Sequence, residues 1–111
     1  IEDIAHVVKS VEMDGIIATN TTIDKSSLGS HPLAGEQGGL SGLPVREKSN
    51  QVLKMLTEHI DGELPIIGVG GIMNGKDAAD KIRLGATAVQ VYSGMIYKGP
   101  ALVKDCLAAL K

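Results

Sequence analysis

Two short apolar runs, each ending in glycine or small polar residues, constrain this chain more than any other feature. One is Ile66-Ile67-Gly68-Val69-Gly70-Gly71-Ile72. The other, Val89-Gln90-Val91-Tyr92-Ser93-Gly94, follows after a single helix-length stretch. Each reads as a buried strand that leads into a helix start. Glycine at such a strand end lets backbone N–H groups turn toward an anion and approach it closely, because no Cβ intervenes. Two of these strand ends in succession make a candidate phosphate cradle, the position held in (β/α)8 barrels by the loops after strands 7 and 8. The competing reading of Gly70, Gly71 and Gly94 is tight helix–strand packing. The segment is not G-x-G-x-x-G, since Met73 occupies the last position, so a dinucleotide fingerprint is poorly supported.

The rest of the chain alternates helix and strand without a compositional break. Ile1, Ile4, Ala5 and Val8 recur at helical spacing and predict an opening helix to about Val11. Gly15 to Ala18 reads as a continuous apolar strand, buried on both faces as in parallel sheets. Thr22 to Pro44 has no periodicity and many Gly, Ser and Pro residues, and is read as an active-site or lid loop. A helix over Val45–Ile60, with Val52, Leu53, Leu56 and Ile60 on one face, is expected to stop at Gly62. The strand Pro65–Val69 leads to Asn74, an N-cap with Asp77 three residues on, and a helix buries Ala78, Ala79 and Ile82. Ala88–Tyr92 forms the last strand, Met95–Lys98 a turn, and Gly99-Pro100 opens the final helix. The order α–β–loop–α–β–α–β–α predicts an α/β fold with helices over a parallel sheet. At 111 residues the chain is ample for one domain. It is short for a closed barrel, which takes about 250. It opens inside a helix and without an initiator methionine, so we expect a piece of a longer protein.

Composition narrows the function classes. A net charge of −2, no basic run, and Tyr92 and Tyr97 as the sole aromatics give no basis for nucleic-acid binding. No stretch approaches the roughly twenty apolar residues of a membrane span. His6, His31 and His59 show no ligand spacing, so no metal site is expected. Cys106, the single cysteine, cannot form an internal disulfide and reads as a buried structural thiol on a stripe with Val103, Leu107 and Leu110. Glu58, Asp61, Asp77 and Asp80 read as solvated helix faces.

In a parallel α/β arrangement the three strand ends share one edge, where ligands gather. They carry Thr19-Asn20-Thr21-Thr22, Gly68 to Gly71, and Tyr92-Ser93-Gly94. Asn20 offers an acceptor and two donors suited to a planar polar ligand, and Thr19 and Thr21 add hydroxyls. Such residues also serve turns by bonding local backbone. No general base stands at these ends, so chemistry would have to come from a cofactor or from residues outside the chain.

Ala18-Thr19-Asn20-Thr21-Thr22, Gly38-Gly39-Leu40-Ser41-Gly42, Leu64 through Ile72, and Val91-Tyr92-Ser93-Gly94 with Lys98-Gly99-Pro100 resemble the dihydroorotate dehydrogenases, in order and over nearly the whole chain. The first two blocks resemble the membrane-associated, quinone-using class 2 members most. The resemblance implies that residues 1–111 are the C-terminal part, about strands 6–8 with flanking helices, of an FMN-dependent (β/α)8 TIM barrel. Such a barrel oxidises dihydroorotate to orotate in pyrimidine synthesis and passes electrons to a quinone. It implies FMN contacts from Thr19 and Gly42, and phosphate-end contacts from Gly71, Tyr92, Ser93 and Gly94, beside Gly70 from the strand-end reading. Asn20 and Thr21 would bond the pyrimidine ring of the substrate. The family's catalytic serine, its flavin-contacting lysine and its membrane-docking helices would lie upstream, so no catalytic residue is assigned here. The parent would sit peripherally on the cytoplasmic side of the inner membrane, and this piece alone would be inactive and prone to self-association or to pairing with the remaining barrel. Where the family often has arginine after the aspartate, Lys25 follows Asp24, which keeps the charge but not a planar bidentate contact. Two alternatives stay open: another FMN barrel, such as a class 1 relative or a dihydrouridine synthase, and a non-catalytic phosphate-binding partial barrel.

Overall fold

The computed structural model describes residues 1–111. Helix α1 (Glu2–Ser10) precedes strand β1 (Ile16–Ala18). A long irregular segment with short 3-10 turns at Ser26–Leu28 and Leu43–Val45 then leads to α2 (Arg46–Ile60). Strand β2 (Ile66–Val69), α3 (Gly75–Arg83), β3 (Ala88–Gln90), α4 (Ser93–Lys98) and α5 (Ala101–Ala109) follow. The strands form one parallel sheet in the order β1-β2-β3. Ile16, Ile17 and Ala18 stand beside Ile66, Ile67 and Gly68, and Ile67, Gly68 and Val69 stand beside Ala88, Val89 and Gln90.

That register sorts the side chains by the two-residue period of a strand. Ile16, Ala18, Ile66, Gly68 and Val89 face the helices. Leu53, Leu56 and Ile60 of α2 bury against Ala5, Ala18, Ile66 and Ala86. Gly68 lets the layer behind the sheet approach closely, since a Cβ there would stand 3.1 Å from the Lys81 stem and 3.2 Å from Ala86 Cβ. A second core joins α3 to α5 through Ile72, Ala78, Leu102 and Cys106. The other sheet face carries Ile17, Ile67, Val69, Ala88 and Gln90. Ile17 is 60% exposed there, so β1 is covered on one face and not on both. The sequence pattern of a two-sided strand is present, but this chain lays helices over one side only, and the molecule is a slab of 43 × 34 × 17 Å.

Other differences have local causes. The reversal after α2 falls on Asp61, whose φ of 51° and N–H bond to the Thr57 carbonyl close the helix one residue before Gly62. On α2 the buried stripe includes Ser49, while Val52 is only half-buried. On α3, Ala78 is buried as expected and Ile82 is half-buried against the first core, but the other fully buried side chains are Asp77 and Lys81, and Ala79 is only half-buried. Asp77 is therefore not on a solvated face. Asn74 caps α3 by accepting the Asp77 N–H at 2.9 Å. The last strand ends at Gln90, and the expected turn after it is the helix α4. Cys106 is buried, yet with Leu102, whereas Val103, Leu107 and Leu110 lie on the open side of α5. No helix is long and apolar enough to cross a membrane.

Candidate functional site

The carboxyl ends of the three strands open into one cleft of about 500 Å³, within the size range of small-molecule and cofactor sites. All nine residues singled out from the sequence line it: Thr19, Asn20, Thr21, Gly42, Gly70, Gly71, Tyr92, Ser93 and Gly94. Parallel strand direction accounts for eight of them, because it places the three post-strand segments on the same edge, while Gly42 arrives on the long segment after β1. Sequence reading did not identify Ile17, Val69 and Gln90, which line the same cleft. They belong to the open sheet face, and only the strand register reveals that they share it.

The long segment after β1 returns to the cleft because it is pinned at its base. Thr22 N–H donates to the Leu40 carbonyl at 3.0 Å and Leu40 N–H donates to the Thr22 carbonyl at 2.7 Å. Ser41 and Gly42 are thereby brought opposite β3's exit, where Ser41 Oγ lies 2.7 Å from Ser93 Oγ. Ser41 also escaped the sequence reading, although it immediately precedes Gly42. Lys25 Nζ donates to the Glu36 carbonyl within the loop, so its charge is used locally. Hydrogen bonds from the Ser26 hydroxyl and N–H, and then the Lys48 ammonium, hold the Asp24 carboxyl below its usual range.

The glycines are required by packing as well as by the cleft. A Cβ on Gly71, at φ +74°, would stand 2.4 Å from Arg46 Cβ and 2.6 Å from its Cα, at the start of α2. A Cβ on Gly94 would stand 2.1 Å from the Ile72 carbonyl oxygen. These approaches fasten the β2 and β3 exits to each other and to α2. The packing alternative thus holds at the same residues that line the cleft. The backbone N–H groups of Gly70, Gly71, Ser93 and Gly94 find no acceptor within the chain. Asn20 Oδ1 accepts the Thr21 N–H at 2.8 Å, which leaves the amide nitrogen with both its donors for the cleft.

Charge is arranged behind this wall. Arg46 Nη1 bonds Asp77 Oδ1 at 3.0 Å, and Asp77 Oδ2 accepts the Met73 N–H at 3.0 Å, so the buried carboxylate ties α2 to the loop after Gly71. Lys81 is wholly buried, and its Nζ donates to Ser49 Oγ and Asn50 Oδ1, each at 2.8 Å. Burial pushes the Lys81 ammonium down to about 8, opposed by Asp77 and Glu47.

Fold and site together define an α/β protein with a candidate ligand cleft at the carboxyl edge of a parallel sheet, walled by unpaired N–H groups and hydroxyls. The chain belongs to the dihydroorotate dehydrogenase family, whose model matches residues 1–111. A dihydroorotate dehydrogenase (quinone) of Neisseria meningitidis serogroup B is 89% identical over 110 residues, covering 99% of this chain and 33% of that protein. The protein of the same description from Chromobacterium violaceum is 50% identical over 109 residues, covering 98% of this chain and 32% of its own length. Among solved structures, the dihydroorotate dehydrogenase of Eimeria tenella in complex with ferulenol superposes with a TM-score of 0.90 at 42% identity, over 98% of this chain and 29% of that one. The ligand-free form of the Eimeria enzyme gives 0.91 at 39% identity. The chain thus spans about a third of the length of the curated relatives it matches.

Proposed function

We propose that residues 1–111 form the C-terminal segment, about strands 6–8, of a (β/α)8 barrel that oxidises dihydroorotate with FMN and passes the electrons to a quinone. The carrying observation is the single cleft that collects all nine nominated residues together with N–H donors lacking acceptors. The residues fit the phosphate end of FMN. Gly70, Gly71, Ser93 and Gly94 supply N–H donors, the Ser93 hydroxyl is held by Ser41, and Cβ-free approaches keep the wall in place. Thr19 and Gly42 serve the rest of the cofactor, and Tyr92 borders its phosphate end.

Asn20 and Thr21 orient the pyrimidine ring, Asn20 through the amide donors left free by its bond to Thr21. FMN supplies hydride acceptance when bound. This segment's share is to bind and orient: its cleft lining offers amide, hydroxyl and backbone N–H groups and no carboxylate, imidazole or amine. The exposed face of Ile17, Ile67 and Ala88 is completed by the remaining barrel strands. A quinone acceptor resides in membrane, so the whole enzyme works peripherally at the inner membrane, and this segment contributes no span.

The experiment is dihydroorotate-dependent reduction of a quinone analogue by the full-length enzyme, read beside the visible absorbance of bound flavin. Gly71→Ala should lower flavin content and turnover together. A full-length enzyme that binds no flavin, or that ignores dihydroorotate, would overturn the proposal.

A further inference from the structure

Lys81 is the largest wholly buried side chain in the molecule. An ammonium withdrawn from water is costly unless its donors are used. Its partners show what it is used for. Nζ donates to Ser49 Oγ at 2.8 Å, and Ser49 Oγ is 2.7 Å from the Val69 carbonyl. The ammonium and the carbonyl fix the direction of this relay, because one can only donate and the other only accept. The single Ser49 proton therefore goes to Val69. The same carbonyl accepts the Thr19 N–H at 2.9 Å, so it links the exits of β1 and β2. Ser49 also stands directly beneath Gly70, whose φ is +120° and whose added Cβ would lie 2.9 Å from Ser49 Oγ. The lysine stem reaches this position under Gly68, where a strand side chain would block it.

We propose that Lys81 is a positioning residue for the phosphate cradle, holding the Val69 carbonyl through Ser49 and with it the backbone of Gly70 and Gly71. The inference rests on the phosphate reading above. Lys81 touches neither cofactor nor substrate. It acts by restricting the conformations of the strand exit and by placing a cation two hydrogen bonds behind the donors. Asn50, Asp77 and Glu47 are the other polar and charged groups around it. Asp77 and Glu47 oppose the pull of burial, so the ammonium stays charged at neutral pH.

The test is a titration of the apo form of the full-length enzyme with FMN and, separately, with riboflavin, which lacks the phosphate. Lys81→Met keeps the stem and removes the ammonium. It should weaken FMN binding about tenfold, the effect of a lost charge-assisted hydrogen bond, and riboflavin binding less than about twofold. Ser49→Ala, which leaves the buried charge in place, should shift the ratio the same way. The double variant should lose no more than Lys81→Met alone. Equal changes for both ligands, or none, in both single variants would show that Lys81 only ties α2 to α3. Gly71→Ala separates the two claims. If it lowers the FMN-to-riboflavin preference and Lys81→Met does not, only the role of Lys81 falls. If neither changes it, the phosphate placement falls as well.

Discussion

Replacing Gly94 by alanine should damage both stability and cofactor binding, although the residue lies in a helix. By propensity alone, Gly→Ala in a helix gains up to about 1 kcal/mol. Here the new Cβ would meet the Ile72 carbonyl oxygen at 2.1 Å and Leu102 Cδ2 at 2.9 Å. Carbon and carbonyl oxygen rarely approach closer than roughly 3.3 Å, so the backbone of α4 and the segment after β2 must part by roughly 1 Å. The obstacle is backbone, which no rotamer change relieves. Overpacking of this kind costs about 1–3 kcal/mol, occasionally more, and with the full propensity gain subtracted a net loss of up to about 2 kcal/mol remains. The same separation moves Gly94 away from Gly71, so FMN should bind more weakly while riboflavin changes less. Urea denaturation of the full-length enzyme reads the first effect and flavin titration the second. A variant stabilised by about 1 kcal/mol with unaltered FMN affinity would refute the claim that this approach builds the cradle.

Asp77→Ala strands the Arg46 guanidinium and the Met73 N–H beside a buried site, and should cost roughly 2–4 kcal/mol in chemical denaturation. Lys81 also predicts a pH signature. Its value is about 8 in the fold against 10.5 for the free group, so between those limits the unfolded chain holds more protons. Stability against unfolding must then rise with pH, by about 2 kcal/mol from pH 7 to 9.5 relative to Lys81→Met. A wild-type minus variant difference that stays flat over that interval would contradict the buried ammonium. Burial, then Asp105 and Asp77, pushes the Cys106 thiol up, so a thiol reagent should label it at the rate of opening of the α3–α5 core and rapidly only in denaturant.

Much of this architecture was legible in local pattern. The strands at Ile16–Ala18, Ile66–Val69 and Ala88–Gln90 follow from short apolar runs, and the cap at Asn74 from its spacing to Asp77. The cleft residues at the strand ends were legible because parallel strands bring their exits to one edge, whereas Gly42 was pointed to only by the motif resemblance and is placed by the bonds between Thr22 and Leu40. Side-chain partners across elements were not. Asp77 and Lys81 look like ordinary polar residues of an amphipathic helix, and nothing local says that Arg46, Ser49 and Asn50, more than thirty positions away for each pair, will receive them. The Cys106 stripe was misplaced for a related reason, since α5 is apolar on more than one side and only its seat on α3 selects Leu102 and Cys106.

Chemical type and spacing therefore determined the order of elements and the edge at which the candidate site residues gather, and the resemblance of whole motif blocks pointed to the family. Tertiary contact decided which sheet face stays open, why Gly71 and Gly94 admit no side chain, and that a buried lysine stands behind the cleft wall. The division has a physical origin: helix and strand periods and strand direction are properties of neighbouring residues. Burial and the pairing of distant polar groups depend on which surfaces meet once the chain has folded.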